Sequence, residues 1–573
     1  MAAFYAYRRF NSKKLTLNVG AVSITMSNYS DIAILGGGLA GMTLALQLRA
    51  RLPEVSITIL ERLQYPVPEA AHKVGESTVE IGAHYLSKII GLEEHLQNKQ
   101  LRKYGLRLFF DAGTVTDLAQ AGELGASHLL SVPAYQIDRG ILENHLAERV
   151  QAEGITLRAG ATVLDVQLSE DNTEHHVSFR AQDTRHSISA RWVVDAMSRG
   201  SVIKRRLGLA EDNGHQCSSV WFRIQDRIDI SDWSNDPQWQ QRCNQLPRWL
   251  STNHLMGQGY WVWLIPLSSG STSIGIVFDD ALHDFKQLKT YNGTLAWLAL
   301  HQPLCYQAIK RSSGALQDFR YLHHFSHGCR QVYSAQRWAL SGESGVFLDP
   351  FYSPGTDFIA ISNTFVTDLI ERDFAGEAMA RRARVYQHYY LSFYQSSLNL
   401  YYNQYPLFGH TRAMSAKTIW DYAYYWGILA VLFFSQRLTD TDLMARHVAM
   451  LDELRQIHAQ IQKMFLQWSI EEPAMDTTGL FINQSELPLL VRLSRELTEV
   501  TADPELADER LIGNGAMLRT LAANLCALAP ASAAACVTLL ETQDTTTTAS
   551  GTENLLIGLP SRFRSPQHSL SPS

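Results

Sequence analysis

The N-terminal part of the chain alternates short apolar runs with helix-length segments, a pattern typical of an α/β sheet. An apolar run at residues 32–35 reads as a buried strand and leads into Gly36, Gly38 and Gly41 at GxGxxG spacing. A helical pattern follows at 42–49. These glycines permit a tight turn, close approach of backbone to a pyrophosphate, and close packing of helix on strand. The order of these elements predicts a dinucleotide-binding site.

The start of this helix is expected to hold the phosphates. Leu39 and Ala40 lie in the glycine segment just before it, next to the free N–H groups and the helix dipole that attract anions. The next strand, 55–60, ends in Glu61, where a carboxylate can accept a hydrogen bond from a ribose hydroxyl. We therefore count Leu39, Ala40 and Glu61 with the three glycines as predicted cofactor-binding residues.

Other segments carry residues expected near the same cofactor. Ser77 follows a glycine turn and opens a helical run, and Gln136 and Arg139 are spaced so that both can face one ligand. Alternatively, Gln136 and Arg139 only begin an ordinary amphipathic helix. Further residues predicted to contact the cofactor follow strands or lie in a Pro/Gly-rich loop: Asp195, Gly342, Pro350 and Gly355.

The remaining patterns divide the chain further. Trp261 and Trp263 alternate along a strand and so share one face, where they line a pocket or pack as core aromatics. We predict an α/β fold, α+β overall, with a Rossmann-like dinucleotide-binding domain, a β-sheet substrate domain and a helical C-terminal region. The expected boundaries are 1–26 (N-terminal extension), 27–200 and 336–375 (dinucleotide-binding domain), 201–335 (substrate sheet), 376–540 (helical domain) and 541–573 (disordered tail).

Composition narrows the function. A net charge of -6 over 573 residues gives no reason to expect nucleic acid as a partner. The six cysteines lack metal-site spacing, which indicates reduced thiols in a cytoplasmic protein and no metal site. The most apolar late stretch, 420–434, contains Asp421 and is shorter than a membrane span, so no transmembrane segment is predicted.

Three motifs carry a family resemblance. Residues 261–266 (WVWLIP) match a WxWxIP pattern, residues 73–77 (KVGES) match a catalytic-lysine segment, and residues 347–355 (FLDPFYSPG) match FxxPxxSxG. With the glycine motif, residues 27–370 resemble the FAD-dependent halogenases of the tryptophan-halogenase superfamily, which are built on the flavin monooxygenase fold.

The resemblance implies a mechanism and a set of partners. A separate NAD(P)H-dependent flavin reductase supplies reduced FAD, which with O2 oxidises chloride or bromide to hypohalous acid. Lys73 then delivers the oxidant to a small aromatic substrate, free or bound to a carrier protein, while Trp261 and Trp263 wall the flavin off. Ser353 belongs to the catalytic motif, and the backbone amides of Gly355 and Thr356 are expected to hold the halide.

Two residues depart from the family pattern. Tyr352 stands where tryptophan-specific members carry Glu, so we expect a self-activating phenol, resorcinol or pyrrole as substrate, not free tryptophan. Pro354 has no N–H to offer a halide, which leaves Gly355 and Thr356 as donors.

Two other functions stay open on sequence alone. One is an FAD-dependent monooxygenase or oxidoreductase of the same fold acting on an aromatic or polyketide substrate. The other is a non-enzymatic FAD-binding scaffold in a biosynthetic complex.

Overall fold

The computed structural model describes residues 29–70, 75–171, 173–243, 246–473, 476–540 and 554–564. Lys73 and the predicted extension at 1–26 lie outside the described residues. In chain order the strands are β1 (Tyr29–Leu35), β2 (Ile57–Glu61), β3 (Leu101–Lys103), β4 (Leu106–Phe110), β5 (Gly122–Gly125), β6 (Ala134–Gln136), β7 (Thr156–Ala159), β8 (Thr162–Gln167), β9 (His175–Ala181), β10 (Thr184–Asp195), β11 (Ala210–Glu211), β12 (Cys217–Ile224), β13 (Thr252–Gly257), β14 (Tyr260–Pro266), β15 (Thr272–Asp279), β16 (Leu316–Leu322), β17 (Gly328–Cys329), β18 (Trp338–Leu340) and β19 (Phe481–Asn483).

The helices lie between and after these strands. They are α1 (Leu39–Arg51), α2 (Glu80–His84), α3 (Glu93–Lys99), α4 (Arg139–Ala152), α5 (Val202–Arg206), α6 (Pro237–Gln241), α7 (Phe285–Leu288), α8 (Tyr291–His301), α9 (Pro303–Arg311), α10 (Gly355–Phe374), α11 (Ala380–Leu398), α12 (Thr411–Tyr424), α13 (Val431–Phe434), α14 (Thr441–Glu471), α15 (Pro488–Ala502), α16 (Ala507–Leu528), α17 (Ala531–Ala534) and α18 (Ser561–Arg564).

The first sheet carries the glycine motif. Its path is β7-β2-β1-β10-β9-β8, with β18 also paired to β10. The pairs β7-β2, β2-β1, β1-β10 and β10-β18 are parallel, whereas β9 and β8 return antiparallel. Strand β1 is central, and its apolar residues from Ile32 to Leu35 are fully buried. Fully buried apolar runs are typical of such central parallel strands, and the predicted α/β fold is confirmed.

The second sheet is mainly antiparallel, in the order β16-β12-β15-β14-β13-β4-β5-β19. Most of it comes from the segment predicted as the substrate sheet. Strands β4 and β5 precede that segment, however, and β19 follows it by more than a hundred residues of sequence. The sheet therefore joins three parts of the chain, because open strand edges recruit neighbours by spatial proximity and not by sequence order.

The C-terminal region is helical, as its pattern predicts. The segment Pro504–Leu528 is long and apolar enough to cross a membrane by length and composition alone. Its buried leucines, Leu511, Leu518, Leu521 and Leu525, belong to the same core as α12 and α14, as expected of a core helix.

The predicted disordered tail differs from the structure in one place. Residues 554–564 are described, and Leu555, Leu556, Leu559 and Phe563 are buried there. The carbonyl oxygen of Phe563 accepts a hydrogen bond from Arg412 Nε at 3.0 Å. Four apolar side chains in an otherwise polar run are enough to dock this short piece.

A buried ion cluster fastens the second sheet. Glu123 on β5 is hydrogen-bonded by Arg107 of β4, and by Arg248 Nε at 2.9 Å and Nη2 at 3.2 Å. All three side chains are at most 2% exposed. Burial by itself raises the pKa of Glu123, but Arg107 and Arg248 outweigh it and the pKa is lowered. The cluster therefore depends on the ionised carboxylate.

We expect Glu123→Gln to lower the free energy of unfolding by about 3–5 kcal/mol, because two buried guanidinium groups lose their counter-charge. Urea unfolding followed by circular dichroism measures the change. The matched control is Glu93→Gln, which breaks the exposed Lys88–Glu93 pair and should cost less than about 1 kcal/mol. Equal effects of the two substitutions would contradict the role of the cluster.

Candidate active site

The glycine motif has the geometry that its spacing predicts. Gly36 has a φ of +102°, and a Cβ built on it would lie 2.6 Å from the carbonyl oxygen of Ala196. A Cβ on Gly41 would lie 2.0 Å from the carbonyl oxygen of Gly36, so the helix packs too closely for any side chain there. A Cβ on Gly38, by contrast, meets nothing within 4 Å. Gly36 and Gly41 thus serve packing, and Gly38 keeps a surface free beside the helix N-terminus.

Glu61 stabilises this turn from the neighbouring strand. Its carboxylate accepts hydrogen bonds from the backbone N–H of Gly37 at 2.6 Å and of Leu63 at 2.8 Å. A contact between Glu61 and a ribose stays a prediction.

A cleft of about 760 Å³ gathers residues that are far apart in sequence. It lies between the start of α1, the second sheet and the start of α10. Predicted residues that line it are Leu39, Ser77, Arg139, Trp261, Trp263, Pro350, Ser353, Gly355 and Thr356. The structure adds side chains that the motifs do not include: Glu76, Thr252, His254, Glu343 and Asp349.

Three predicted residues, Gln136, Gly342 and Asp195, support the cleft through neighbouring residues and do not line it themselves. Gln136 is fully buried, and its amide nitrogen donates to Thr252 Oγ1 at 2.8 Å. Gly342 has a φ of +58° and packs against Ala40, so it supports the motif helix from behind. For these residues a direct cofactor contact stays a prediction.

Asp195 at the end of β10 is also buried. Its carboxylate accepts from Met197 N–H at 3.1 Å, Ser201 Oγ at 2.8 Å and Ile203 N–H at 3.0 Å. These bonds tie the end of β10 to the turn that starts α5. The structure thus gives Asp195 a supporting position, and its direct contact with a cofactor stays a prediction.

The two tryptophans form one aromatic wall of the cleft. Each is 2% exposed, and their ring centroids are 5.6 Å apart. Trp263 lies over Gly275 on β15, where an added Cβ would come within 2.2 Å of the indole. Trp261 packs against Phe351 with centroids 5.2 Å apart. Gly275 therefore provides the space that orients Trp263.

The loop before α10 turns sharply at the cleft. Tyr352 and Ser353 have φ values of +68° and +58°, a left-handed conformation that costs energy for residues with a Cβ. Asp349 holds the loop, since its carboxylate accepts from Phe351 N–H at 2.9 Å and from Tyr405 Oη at 2.7 Å. His215 Nε2 also lies 2.8 Å from it.

The loop leads into a helix N-terminus that can bind an anion. Helix α10 begins at Gly355, and no side chain caps its first turn. The first N–H groups of a helix have no partner within the helix. Gly355 and Thr356 supply such groups at the edge of the cleft, and the binding of halide there stays a prediction.

A buried lysine, Lys103, lies beside the cleft. Lys103 Nζ donates to Ser77 Oγ at 2.9 Å and to the Thr78 carbonyl at 2.8 Å. Burial lowers its pKa to about 8, against the opposing effect of Glu80 and Asp357. Burial likewise raises the pKa of Asp357 to about 7. Motif reasoning missed Lys103, since nothing in its local sequence marks it as buried.

The lysine segment itself is described from its third residue onward. Lys73 lies outside the described residues, but Gly75, Glu76 and Ser77 line the cleft. Glu76 lies 2.6 Å from Arg223 Nη2, and burial raises its pKa to about 7. The end of the segment is therefore held at the cleft by a buried ion pair.

Comparison with known proteins shows which families and enzymes this chain resembles. Residues 29–266 match the FAD binding domain family. The chain is 26% identical to the flavin-dependent halogenase chlA of Dictyostelium discoideum, over 62% of each protein. It is 24% identical to the 1H-pyrrole-2-carbonyl-[peptidyl-carrier protein] chlorinase of Pseudomonas fluorescens, over 75% of this chain and 94% of that enzyme. The chain is thus similar to flavin-dependent halogenases and spans less than two thirds of the length of the Dictyostelium relative.

Solved structures share the fold. The halogenase PltM, crystallised with phloroglucinol and FAD, superposes with a TM-score of 0.61 at 16% identity, covering 83% of this chain and 96% of PltM. The flavin-dependent brominase Bmp2 superposes with a TM-score of 0.53 at 21% identity, covering 65% of this chain and 86% of Bmp2. At these identities the structures establish the fold alone.

The residues at the start of α1 and along the cleft fit FAD. The open surface at Gly38 and the free N–H groups of α1 suit a pyrophosphate. The cleft that continues from Leu39 past Ser77 to Pro350 has an apolar wall for a flat ring. The cofactor is FAD, and when bound in its reduced form it would supply, with O2, the oxidising power for the reaction.

We expect Gly38→Val to remove bound flavin without unfolding the chain, because the side chain would enter only the space kept for the pyrophosphate. Absorbance of the purified variant measures flavin content. Urea midpoints are compared on the FAD-free proteins, since a bound ligand itself stabilises.

The matched control is Gly41→Val, whose side chain would clash with Gly36 and should prevent folding. A Gly38→Val protein with a full flavin spectrum would contradict the assignment.

Proposed function

We propose that this chain is an FAD-dependent halogenase that attaches chlorine or bromine to a phenol, resorcinol or pyrrole. The cleft, the tryptophan wall and the α10 N-terminus support the proposal because a cleft suited to a flavin, an apolar barrier and helix N–H groups suited to an anion lie side by side. The observation that carries it is the position of Trp261 and Trp263. Both face the cleft and are sealed from behind by Phe351 and Gly275.

Each predicted catalytic residue has a specific task in this proposal. Gly355 and Thr356 bind the halide through backbone N–H groups, and Ser353 lines the same part of the cleft. The tryptophans block direct contact between flavin and substrate, so only a small oxidant passes. Lys73 receives hypohalous acid by hydrogen bonding or as a haloamine and presents it to the aromatic carbon.

The partners follow from the chemistry. Reduced FAD is consumed at each turnover, so a separate NAD(P)H-dependent flavin reductase in the cytoplasm has to supply it. The substrate is a small aromatic, free or carried by a peptidyl-carrier-type protein like the substrate in the name of the Pseudomonas relative. An electron-rich ring fits Tyr352, because the chain has no glutamate at that position.

The first experiment is mass spectrometry of phloroglucinol and a pyrrole-2-carboxyl thioester incubated with the protein, FAD, a flavin reductase, NADH, O2 and chloride or bromide. We expect products with the halogen isotope pattern.

A halide-independent gain of one oxygen, labelled from 18-oxygen gas, would replace the proposal with a monooxygenase. Reduced flavin consumed no faster with substrate than without it, and no product, would favour a scaffold.

We expect Lys73→Ala to abolish halogenation of the substrate, while halide-dependent consumption of reduced flavin continues. The lysine acts after the oxidant forms, so only the transfer is lost. Chromatography of the product and NADH oxidation measure the two steps.

Lys88→Ala removes an exposed lysine of the same region and serves as the control. Retained halogenation in Lys73→Ala would refute the role of Lys73.

A further inference from the structure

A second cavity lies on the other side of the loop that precedes α10. It encloses about 560 Å³ and is lined by Tyr352, Pro354, Asp357, Tyr401, Asp421 and Tyr422, among others. Neighbouring residues of the loop thus face different cavities: Ser353 and Gly355 line the FAD-side cleft, whereas Tyr352 and Pro354 line this one. The left-handed backbone at Tyr352 and Ser353 makes this alternation possible.

This cavity adjoins another that lies nearer the surface. The outer cavity, of about 960 Å³, shares Ser397, Leu400, Asp421, Tyr425 and Leu429 with it. The outer cavity lies between α11 and α14, where His388, Val448 and Asp452 are exposed. The two cavities therefore share one wall.

A polar network around Asp421 lies in the inner cavity, next to Tyr352. Tyr352 Oη donates to Asp421 Oδ2 at 2.9 Å. Lys417 Nζ donates to the same oxygen at 2.8 Å and to Gln462 Oε1 at 2.6 Å, and Gln462 Nε2 donates to Asp421 Oδ1 at 2.8 Å. Tyr352 is 8% exposed and Asp421 is 4% exposed. Glu80, Asp357 and Ser397 also line this cavity, whose other walls are aromatic and aliphatic. The network around Asp421 offers the substrate both a hydroxyl and a carboxylate.

We propose that Tyr352 and Asp421 form a proton relay that receives the hydroxyl proton of a phenolic substrate bound in this cavity. The proposal rests on the proposed function, because the oxidant is the hypohalous acid that this function supplies. It assigns the inner cavity as the substrate site and places a base there, on the side of the loop away from the FAD-side cleft.

The relay balances as one proton transfer and one halogen transfer. The substrate hydroxyl gives its proton to Tyr352 Oη, and the proton of Tyr352 passes to the carboxylate of Asp421. The ring carbon, now more electron-rich, forms the carbon–halogen bond with hypohalous acid, whose halogen–oxygen bond breaks and releases hydroxide. The ring then loses its hydrogen as a proton, which with hydroxide gives water and restores the aromatic system.

The surroundings of Asp421 suit a proton acceptor. Burial raises its pKa, against the lowering effect of Lys417, so the carboxylate takes up a proton more readily than a free aspartate. The groups that face Asp421 are Lys417 on its own helix, Tyr352 on the loop, Gln462 on α14, and Tyr401 and Tyr422 across the cavity. His458 on α14 lies beside Lys417, and burial lowers its pKa to about 3, so it stays neutral.

The test substitutes Phe at Tyr352, which removes the hydroxyl and keeps the ring that packs on Phe351 at 4.3 Å. Phloroglucinol is the probe, and excess methionine destroys any hypohalous acid that escapes, leaving methionine sulfoxide as its record. We expect turnover to halogenated phloroglucinol to fall about 100-fold, within the usual range for loss of general base catalysis. Halide-dependent methionine sulfoxide should persist or increase.

A pH series separates chemistry from structure. Above the pKa of the substrate hydroxyl the phenolate needs no base, so the deficit of Tyr352→Phe should shrink as pH rises. A structural defect would not follow the substrate's ionisation. The matched control is Tyr394→Phe, which removes a hydroxyl that accepts a hydrogen bond from Asn213 Nδ2 at 2.7 Å and lines neither cavity, and it should keep full transfer.

Asp421→Asn gives a second, independent arm. It should show the same deficit as Tyr352→Phe, and the double variant should be no worse, because both residues act in one relay. Full turnover of Tyr352→Phe would overturn the relay while leaving halogenation intact. Failure of the wild-type protein to form oxidised halide would instead overturn the proposed function, and the relay with it.

Discussion

The carboxylate of Asp349 is the constraint on which the candidate site depends. It joins the loop backbone at Phe351 to His215 and Tyr405, and Tyr405 Oη accepts from the indole N–H of Trp261 at 3.1 Å. One buried charge therefore positions both the loop and the aromatic wall. Because the carboxylate is held by three donors, the loop can keep the unfavourable left-handed residues that follow it.

The loop in turn divides the interior into two chemical compartments. The cleft on one side is suited to a dinucleotide and an anion, and the cavity on the other side is aromatic and open toward α11 and α14. Under the proposed function, this separation would prevent direct transfer of oxygen from the flavin site to an electron-rich ring. Lys103 and Asp357 lie near the junction of these two compartments. Lys103 donates a hydrogen bond to Ser77, which lines the cleft, and Asp357, which lines the cavity, accepts one from the backbone N–H of Gly82.

Sequence motifs located the cleft well where the function of a residue depends on its near neighbours. Gly36, Gly38 and Gly41 act through local backbone geometry, and the space around each one agrees with the separate role predicted for it. Asp421 shows the limit of such reasoning. In the sequence, Asp421 was evidence only against a membrane span. The fold brings Tyr352 and Gln462 into contact with it from distant segments.

By itself, the sequence determined the FAD-binding sheet and the alternation that forms the tryptophan wall, since strand–glycine–helix order and the WxWxIP run encode local geometry. Tertiary structure alone decided which side chains share a cavity. It recruited β4, β5 and β19 into one sheet, and it buried Lys417 beside Asp421. Contacts of this kind depend on packing between distant segments, which no local pattern records.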